Sequence, residues 1–324
     1  MRHPRVPWLG LLWWVVPLLL ASCSFGDEPS VCAYNVRLDY WHAGSGTENL
    51  LPTYVTHLRQ YLFNDTGDLL ETRTLQGTDV TSWSGTLPDG TYTFVLWGNL
   101  KEEAEEKNTG GKVRSEQIEP ADAVNCNDML LSARQEGAPP GYRGNTSRLY
   151  YGTATVEVKD GILQRKRIYL SQAHAELSVT VRWMTGTPSE GIYRMRLKGV
   201  PALYGFTGGL SQTVPSGDGE LTLPRVGREV TYHETNAAMN YEGEVLGQFV
   251  TYRFTSVTHP LWSLWKDGQQ VIKDMDLYLF FSKLSLDLDT NAEQMFDLLV
   301  SVYEDKIVVS QVTAADWDEG GGIG

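Results

Sequence analysis

Residues 87–99 read Leu-Pro-Asp-Gly-Thr-Tyr-Thr-Phe-Val-Leu-Trp-Gly-Asn, and this stretch decides the class of fold. Pro88, Asp89 and Gly90 are residue types that form tight turns. From Thr91 to Trp97 the chain is dominated by β-branched and aromatic residues, which favour strands. The stretch therefore predicts a turn followed by a β-strand.

Comparable segments lie on both sides of it. Ala33–Tyr40 alternates, and Glu176–Trp183 alternates so that every second residue is apolar. Further strand candidates are His57–Phe63, Leu69–Leu75, Leu149–Val158, Ile162–Leu170, Tyr193–Lys198, Glu220–Leu223, Gln248–Val257, Val271–Phe281, Met295–Val302 and Lys306–Val312. Few segments show a helical period. Many short strands separated by turn residues predict an all-β chain of antiparallel β-sandwiches.

Turn signals predict how some of these strands connect. Asn64–Gly67 predicts a hairpin of the strands before and after it, and Asp160-Gly161 predicts a second hairpin. The charged run Lys101–Arg114 predicts a solvated excursion, and residues 133–147 predict a loop.

The N-terminus carries a targeting signal. Two arginines (Arg2, Arg5) precede the apolar run Val6–Leu20, which has the length of a signal-peptide core and is too short for a comfortable transmembrane helix. The run ends in Leu20-Ala21-Ser22-Cys23, which resembles a bacterial lipobox. In a lipobox the chain is cut before the cysteine, whose thiol and new amino group are acylated. The alternative is an ordinary signal peptide cut elsewhere, with Cys23 incidental.

The residues after Cys23 bear on where such a lipoprotein goes. Ser24 stands where an inner-membrane retention signal would have Asp. Asp27 and Glu28 follow closely and resemble the acidic surface-export signal of Bacteroidetes lipoproteins. We therefore expect residues 1–22 to be a signal peptide and the mature chain to be anchored to the outer membrane by acyl chains and exposed at the cell surface.

Length and charge bound the mature protein. The whole chain has 324 residues and a formal net charge of −13. Its length suggests two domains, and the junction near Ser171–His174 divides it into 23–172 and 173–324. A strongly acidic chain repels the phosphate backbone, so nucleic-acid binding is excluded.

Two cysteines remain besides Cys23. Cys32 and Cys126 are about 94 residues apart, and in an oxidising compartment they can pair. The chain-entropy model gives a loop of this size roughly 4–5 kcal/mol of stabilisation. The alternative is two free thiols.

No motif predicts an enzyme, a metal or a cofactor. Ser263–Lys266 matches Ser-x-x-Lys, but the other motifs of that acyl-transfer class are absent. Asp287–Glu293 has acidic residues at alternate positions, which can hold calcium, although a solvated turn is the simpler interpretation. We expect Trp97 and Trp183 to be core residues. Candidates for an exposed aromatic platform that would bind glycans are Trp41, Trp83 and Trp317.

Three stretches together resemble the fimbrial anchor and tip lipoproteins of Bacteroidales, the FimB/Mfa-type family. They are Cys23 and Cys32 followed by Val36–Tyr40; Leu58–Gly67 with Leu87–Asn99; and Leu149–Gly152 with the strands through Leu170 and Ala175–Val181. They cover most of the first half, whereas the second half matches only in strand pattern and length. The chain departs from the family in having no Asp or Lys cluster directly after the lipidated cysteine.

The resemblance implies two tandem transthyretin-like β-sandwich domains and a non-enzymatic part in a surface fimbrium, or pilus. Stalk subunits of such fimbriae join by β-strand complementation, in which one subunit donates a strand to its neighbour. We therefore expect a lipid-anchored structural subunit that attaches the fibre to the outer membrane and limits its length. Its partners would be stalk subunits of the same system. Ala33–Tyr40 and Lys306–Val312 are the candidate donor or acceptor strands.

Two alternatives stay open at this point. One is a fimbrial tip or accessory subunit. The other is a surface glycan-binding lipoprotein, which exposed tryptophans would favour.

Overall fold

A computed structural model describes residues 34–42, 47–100, 116–133, 143–160, 162–214 and 219–312. β-Strands are the dominant regular structure of these residues, which confirms the predicted all-β class. In the first half the strands are β1 Val36–Trp41, β2 His57–Phe63, β3 Leu69–Gln76, β4 Ser82–Gly85, β5 Gly90–Gly98, β6 Gln117–Glu119, β7 Leu130–Ser132, β8 Tyr150–Val158 and β9 Gln164–Gln172. In the second half they are β10 Ala175–Trp183, β11 Tyr193–Pro201, β12 Leu203–Gly205, β13 Ser211–Thr213, β14 Glu220–Thr222, β15 Arg225–Val226, β16 Val230–Met239, β17 Val245–Thr251, β18 Leu261–Lys266, β19 Gln269–Asp276, β20 Gln294–Val302 and β21 Ile307–Gln311.

Helices are short. They are α1 Leu51–Tyr54, the 3₁₀ helix Gly77–Thr81 and α2 Leu277–Lys283. Among the described residues, no helix has the length and apolar character needed to cross a membrane.

The strands form two large curled sheets and one small one, consistent with two β-sandwiches. The first large sheet runs β13-β14-β9-β8-β5-β2-β3, with β1 inserted between β4 and β9. The second runs β19-β18-β11-β16-β17-β10-β20-β21, and the small sheet runs β15-β12-β7-β6. Most pairs are antiparallel, as predicted, while β1 with β9, β14 with β9 and β10 with β20 are parallel.

The opening stretch of the sequence becomes the centre of the first sheet. Phe94 and Leu96 of β5 face the core of the first sandwich, and Val95 and Trp97 face a second, larger core that continues into the other half of the chain. All four side chains are fully buried. A strand buried on both faces has no polar face, which explains why Thr91–Trp97 reads as a continuous β-forming run and does not alternate.

Two local predictions are wrong. The predicted hairpin around Asp160-Gly161 pairs only at its far end, where Tyr150 and Tyr151 meet β9. Over the rest of its length β9 pairs with β1, because it passes from one layer of the sandwich to the other. The strand predicted for Val271–Phe281 ends at Asp276, whose side chain accepts a hydrogen bond from Leu279 N and so caps α2.

Strands from the second half of the sequence complete the first half. In the first large sheet, β14 pairs with β9, and in the small sheet β12 pairs with β7. Strands within residues 203–226 therefore pair with strands on the other side of the predicted domain boundary at 172/173. The boundary itself stays a prediction.

Candidate functional site

The two strands predicted to serve assembly differ in whether they lie inside a sheet or at its edge. β1, within the predicted Ala33–Tyr40, is hydrogen-bonded to β4 on one side and to β9 on the other. Its residues Val36, Leu38 and Tyr40 are fully buried in the first core. β1 is therefore an internal strand with no free edge.

β21, within the predicted Lys306–Val312, is an edge strand that pairs only with β20 among the described strands. Tyr303 N donates to Lys306 O at 2.9 Å, and Val312 N donates to Asp297 O at 2.8 Å. Since hydrogen-bonded pairs alternate along an antiparallel ladder, the backbone groups of Ile307, Val309 and Gln311 face away from β20. They form a row of donors and acceptors open to another strand.

Side chains distinguish this edge from the other long ones. β3 carries an ion pair between Arg73 and Glu71, and β19 carries Lys273 and Asp274. Charged residues on an edge discourage pairing with a further strand. The sequence of β21, Ile-Val-Val-Ser-Gln, has no charge, and its Ile307 is 47% exposed. Of these three edges, β21 is the one suited to accept a strand.

Of the predicted site residues, Cys126 is described, while Cys23 and Cys32 lie outside the described residues. Cys126 is buried, and its N–H donates to Gly67 O at 2.8 Å in the turn after β2. Burial raises the pKa of its thiol, so it is not a reactive thiolate.

The start of β1 lies at the same end of the first sandwich as Cys126. Asn35 and Leu87 exchange two side-chain hydrogen bonds just before β5 begins, and β5 begins beside the end of β2, which leads into the Gly67 turn. Cys32 precedes Asn35 by only three residues, which can span about 10 Å.

The other candidate residues have structural contacts. Ser263 is buried, and its Oγ accepts a hydrogen bond from Trp265 Nε1. Asp289 accepts hydrogen bonds from the backbone and hydroxyl of Ser256, while Asp287 accepts from Asp289 N. No group of three or more potential metal ligands occurs within the described ranges.

The tryptophans do not form an aromatic platform in the described part of the chain. Three are buried (Trp83, Trp97, Trp262), three are half-buried (Trp41, Trp183, Trp265), and Trp317 lies outside the described residues. The prediction that Trp97 is a core residue is confirmed, and Trp183 packs at the edge of the larger core.

Sequence reasoning missed a charged network at the junction of the two halves. His174 is fully buried, with Nε2 at 3.3 Å from the carboxylate of Glu176, and Arg148 Nε donates to the same carboxylate at 2.6 Å. These two contacts lower the pKa of Glu176 to about 2. The signal available in the sequence was a histidine at the predicted boundary.

A second missed element is the buried Arg253. Its guanidinium donates to the backbone carbonyls of Gln172, Asn291 and Ala292, and burial lowers its pKa to about 10. The three carbonyls belong to β9 and to the loop before β20. Arg253 therefore ties the last strand of the first half to the second half.

Comparison with known proteins identifies the family. The sequence model described as "Fimbrillin-A associated anchor proteins Mfa1 and Mfa2" matches residues 28–240. The chain belongs to this family. It is therefore a fimbrium-associated surface protein of a structural anchor family, and its partners are other fimbrial subunits. No curated protein matches the sequence.

Solved structures share the fold at low sequence identity. The fimbrial anchor protein Mfa2 from Porphyromonas gingivalis is 19% identical with a TM-score of 0.61, over 85% of this chain and 94% of that one. A candidate adhesin from Bacteroides thetaiotaomicron is 16% identical with a TM-score of 0.62, over 90% of this chain and 98% of that one. A candidate polysaccharide-binding protein from the same organism is 14% identical with a TM-score of 0.61, over 87% and 99%.

Proposed function

We propose that this protein is the membrane anchor of its fimbrium, held in the outer membrane by acyl chains on Cys23 and joined to a stalk subunit by strand addition at β21. The family match over residues 28–240 is the observation that carries the anchor role. The protein acts as a structural element and catalyses no reaction. The mature chain has domains 23–172 and 173–324, and Cys32 pairs with Cys126.

The choice of β21 follows from its edge. Strand addition gains affinity from backbone hydrogen bonds and register from alternate side chains. β21 offers outward backbone groups at Ile307, Val309 and Gln311, whereas both sides of β1 are already paired. A strand added beside β21 would cover Ile307 and Val309, which lie on the core side of the sheet, paired with Val302 and Val300.

Acylation of Cys23 is tested by Cys23→Ala. We expect the variant to leave the outer-membrane fraction, taking fibres into the medium, because its acyl attachment has been removed. Metabolic labelling with a fatty acid analogue measures acylation directly. Retention of Cys23→Ala at the membrane in normal amounts would refute the anchor.

Strand addition is tested by Val309→Pro. Proline removes an N–H that faces the free edge and leaves the ladder to β20 in place, because β-sheet edges tolerate proline. We expect co-purification of stalk subunits with the lipidated protein to fall at least tenfold.

Val309→Thr is the matched control, since it keeps the N–H and nearly the same shape. It should co-purify with stalk subunits as well as the native chain does. If Val309→Pro is folded and still carries normal amounts of fibre, β21 is not the joining edge. Co-purification with a glycan transporter and no filaments would instead support the glycan-binding alternative.

A further inference from the structure

The two layers of the second large sheet have outer faces that differ in charge. On the layer of β11, β16 and β18, Arg194 and Arg196 each pair with Glu234 at 2.7 Å. Lys198 of the same face pairs with Asp274 of β19 at 3.1 Å. An antiparallel sheet with one face in water carries polar and charged residues on that face. This outer face therefore has the side chains of a solvated surface.

The outer face of the layer formed by β17, β10, β20 and β21 is uncharged at its centre. The strands are in register, and this aligns six side chains in two adjoining rows. The first row is Leu246, Thr180, Leu299 and Ser310, and the second is Ser301 and Val308. We name these six residues the outer stripe. None of the six is a charged residue.

The outer stripe points away from the core. Val179 of β10 and Leu298 of β20 alternate with stripe residues along their strands, and both are buried in the larger core. Since successive side chains of a strand point to opposite faces, the stripe faces outward. Leu246 is 39% exposed and Val308 is 44% exposed. Aliphatic side chains thus meet solvent at both ends of a surface that crosses four neighbouring strands.

Charged side chains border the stripe. Arg182 is registered beside Ser301 and pairs with Glu244 at 2.5 Å. Asp297 lies two residues before Leu299 on the same face and is exposed. An uncharged centre within a charged rim is typical of surfaces at which proteins associate.

The stripe is continuous with the open edge of the sheet. Val308 and Ser310 belong to β21, so a strand added beside β21 would place alternate side chains next to them. β21 has five residues and is about 17 Å long. One short strand covers far less than the roughly 800 Å² per partner that a stable interface buries. A subunit that stays attached at β21 therefore needs further surface on this chain, and the stripe is the uncharged surface that adjoins the edge.

We infer that the fimbrial subunit whose strand adds to β21 also packs an uncharged, largely apolar surface of its body against the outer stripe. The joint then consists of an edge and a face. This inference rests on the proposed strand addition. The face with the ion pairs of Glu234 stays in water.

The test is Leu246→Lys in the full, lipidated chain. Leu246 is on β17, and β10 and β20 separate it from β21, so the change leaves the joining edge as it is. We expect co-purification of fimbrial subunits to fall about fivefold or more, because the added charge would be buried against an apolar surface without a partner. The urea midpoint of unfolding should match that of the native chain, since the side chain at this position already faces water.

Val271→Lys is the matched control. It adds the same charge at a position that is 45% exposed, on β19 at the opposite edge of the same sheet. It should carry native amounts of fimbrial subunits. Equal losses in the two variants, or no loss in Leu246→Lys, would overturn the inference. A dimer of the isolated chain that Leu246→Lys converts to monomers would also overturn it, because the stripe would then belong to a second copy.

Val309→Pro separates this inference from the proposed strand addition. If Val309→Pro loses fimbrial subunits and Leu246→Lys keeps them, strand addition stands and the outer stripe is not part of the joint. If Leu246→Lys loses them and Val309→Pro keeps them, the stripe is the docking face and strand addition at β21 fails.

Discussion

β1 and β21 were both predicted to serve assembly, and the fold holds them in contrasting ways. β1 has neighbours on both sides, and its inward side chains are fully buried. β21 has one neighbour, and its Ile307 and Val308 are 47% and 44% exposed. The contrast shows that the N-terminal strand serves the stability of the fold, whereas the C-terminal strand leaves backbone groups available for a partner.

The largest expected effect concerns the proposed disulfide bond of Cys32, which precedes β1 in the sequence. If Cys32 pairs with Cys126, Cys126→Ser should lower the free energy of unfolding by about 4–5 kcal/mol under oxidising conditions, because the unfolded chain loses its closed loop. Urea unfolding measures this. No disulfide bond joins β21 to the rest of the fold among the described residues.

Cys32→Ser and the double variant are the controls for the bridge. Both should unfold at the same urea concentration as Cys126→Ser, since either change breaks the same bond. A Cys32→Ser variant as stable as the native chain would mean that the thiols are free.

The second prediction compares the two strands directly. Leu38→Ala in β1 should cost about 3 kcal/mol, because it empties space in a close-packed core. Val308→Ala in β21 should cost less than about 1 kcal/mol, since its side chain is already half in water. Similar losses in chemical unfolding would remove the distinction between the strands.

The smallest expected effect tests the support beneath β21. Glu176 in β10 lies beside Met295 of β20, the strand that carries β21. Glu176→Gln should cost about 1–2 kcal/mol at neutral pH, a value discounted because Arg148 is half exposed.

The pH dependence of this effect has a definite sign. The pKa of Glu176 is lowered to about 2, so its contribution is complete above about 4.5 and disappears as pH falls towards 2. The stability difference between the native chain and Glu176→Gln should therefore vanish in acid. A difference that persists unchanged at pH 2 would show that charge is not the cause.

Strands were predictable from the sequence where β-forming side chains or alternation of apolar residues marked them. His57–Phe63 has the bounds predicted for it, and Glu176–Trp183 differs from β10 by one residue. In contrast, β16 was missed because Val230–Met239 mixes polar and apolar residues without alternation, half of it being exposed. Backbone pairing with β11 and β17 stabilises β16 as a strand, although its residue types do not mark it as one.

The sequence predicted both candidate assembly strands, but it did not predict which of them lies at the edge of a sheet. Periodicity identifies a strand and its buried face, but it does not specify neighbours, so the sequence does not show that β1 is internal and β21 is an edge. Arg253 shows the same limit, because a charged residue is expected at the surface. Only the fold brings three carbonyl groups to its guanidinium.

The placement of β1 has a mechanical consequence. In the proposed lipid-anchored protein, a fibre pulled by fluid flow transmits tension to the membrane through the residues that enter β1. All six residues of β1 are registered against β9, and four are also registered against β4. Tension along the strand axis must then shear these bonds together, because no end is free to peel away bond by bond. The first sandwich should extend little under forces that would unzip a hairpin.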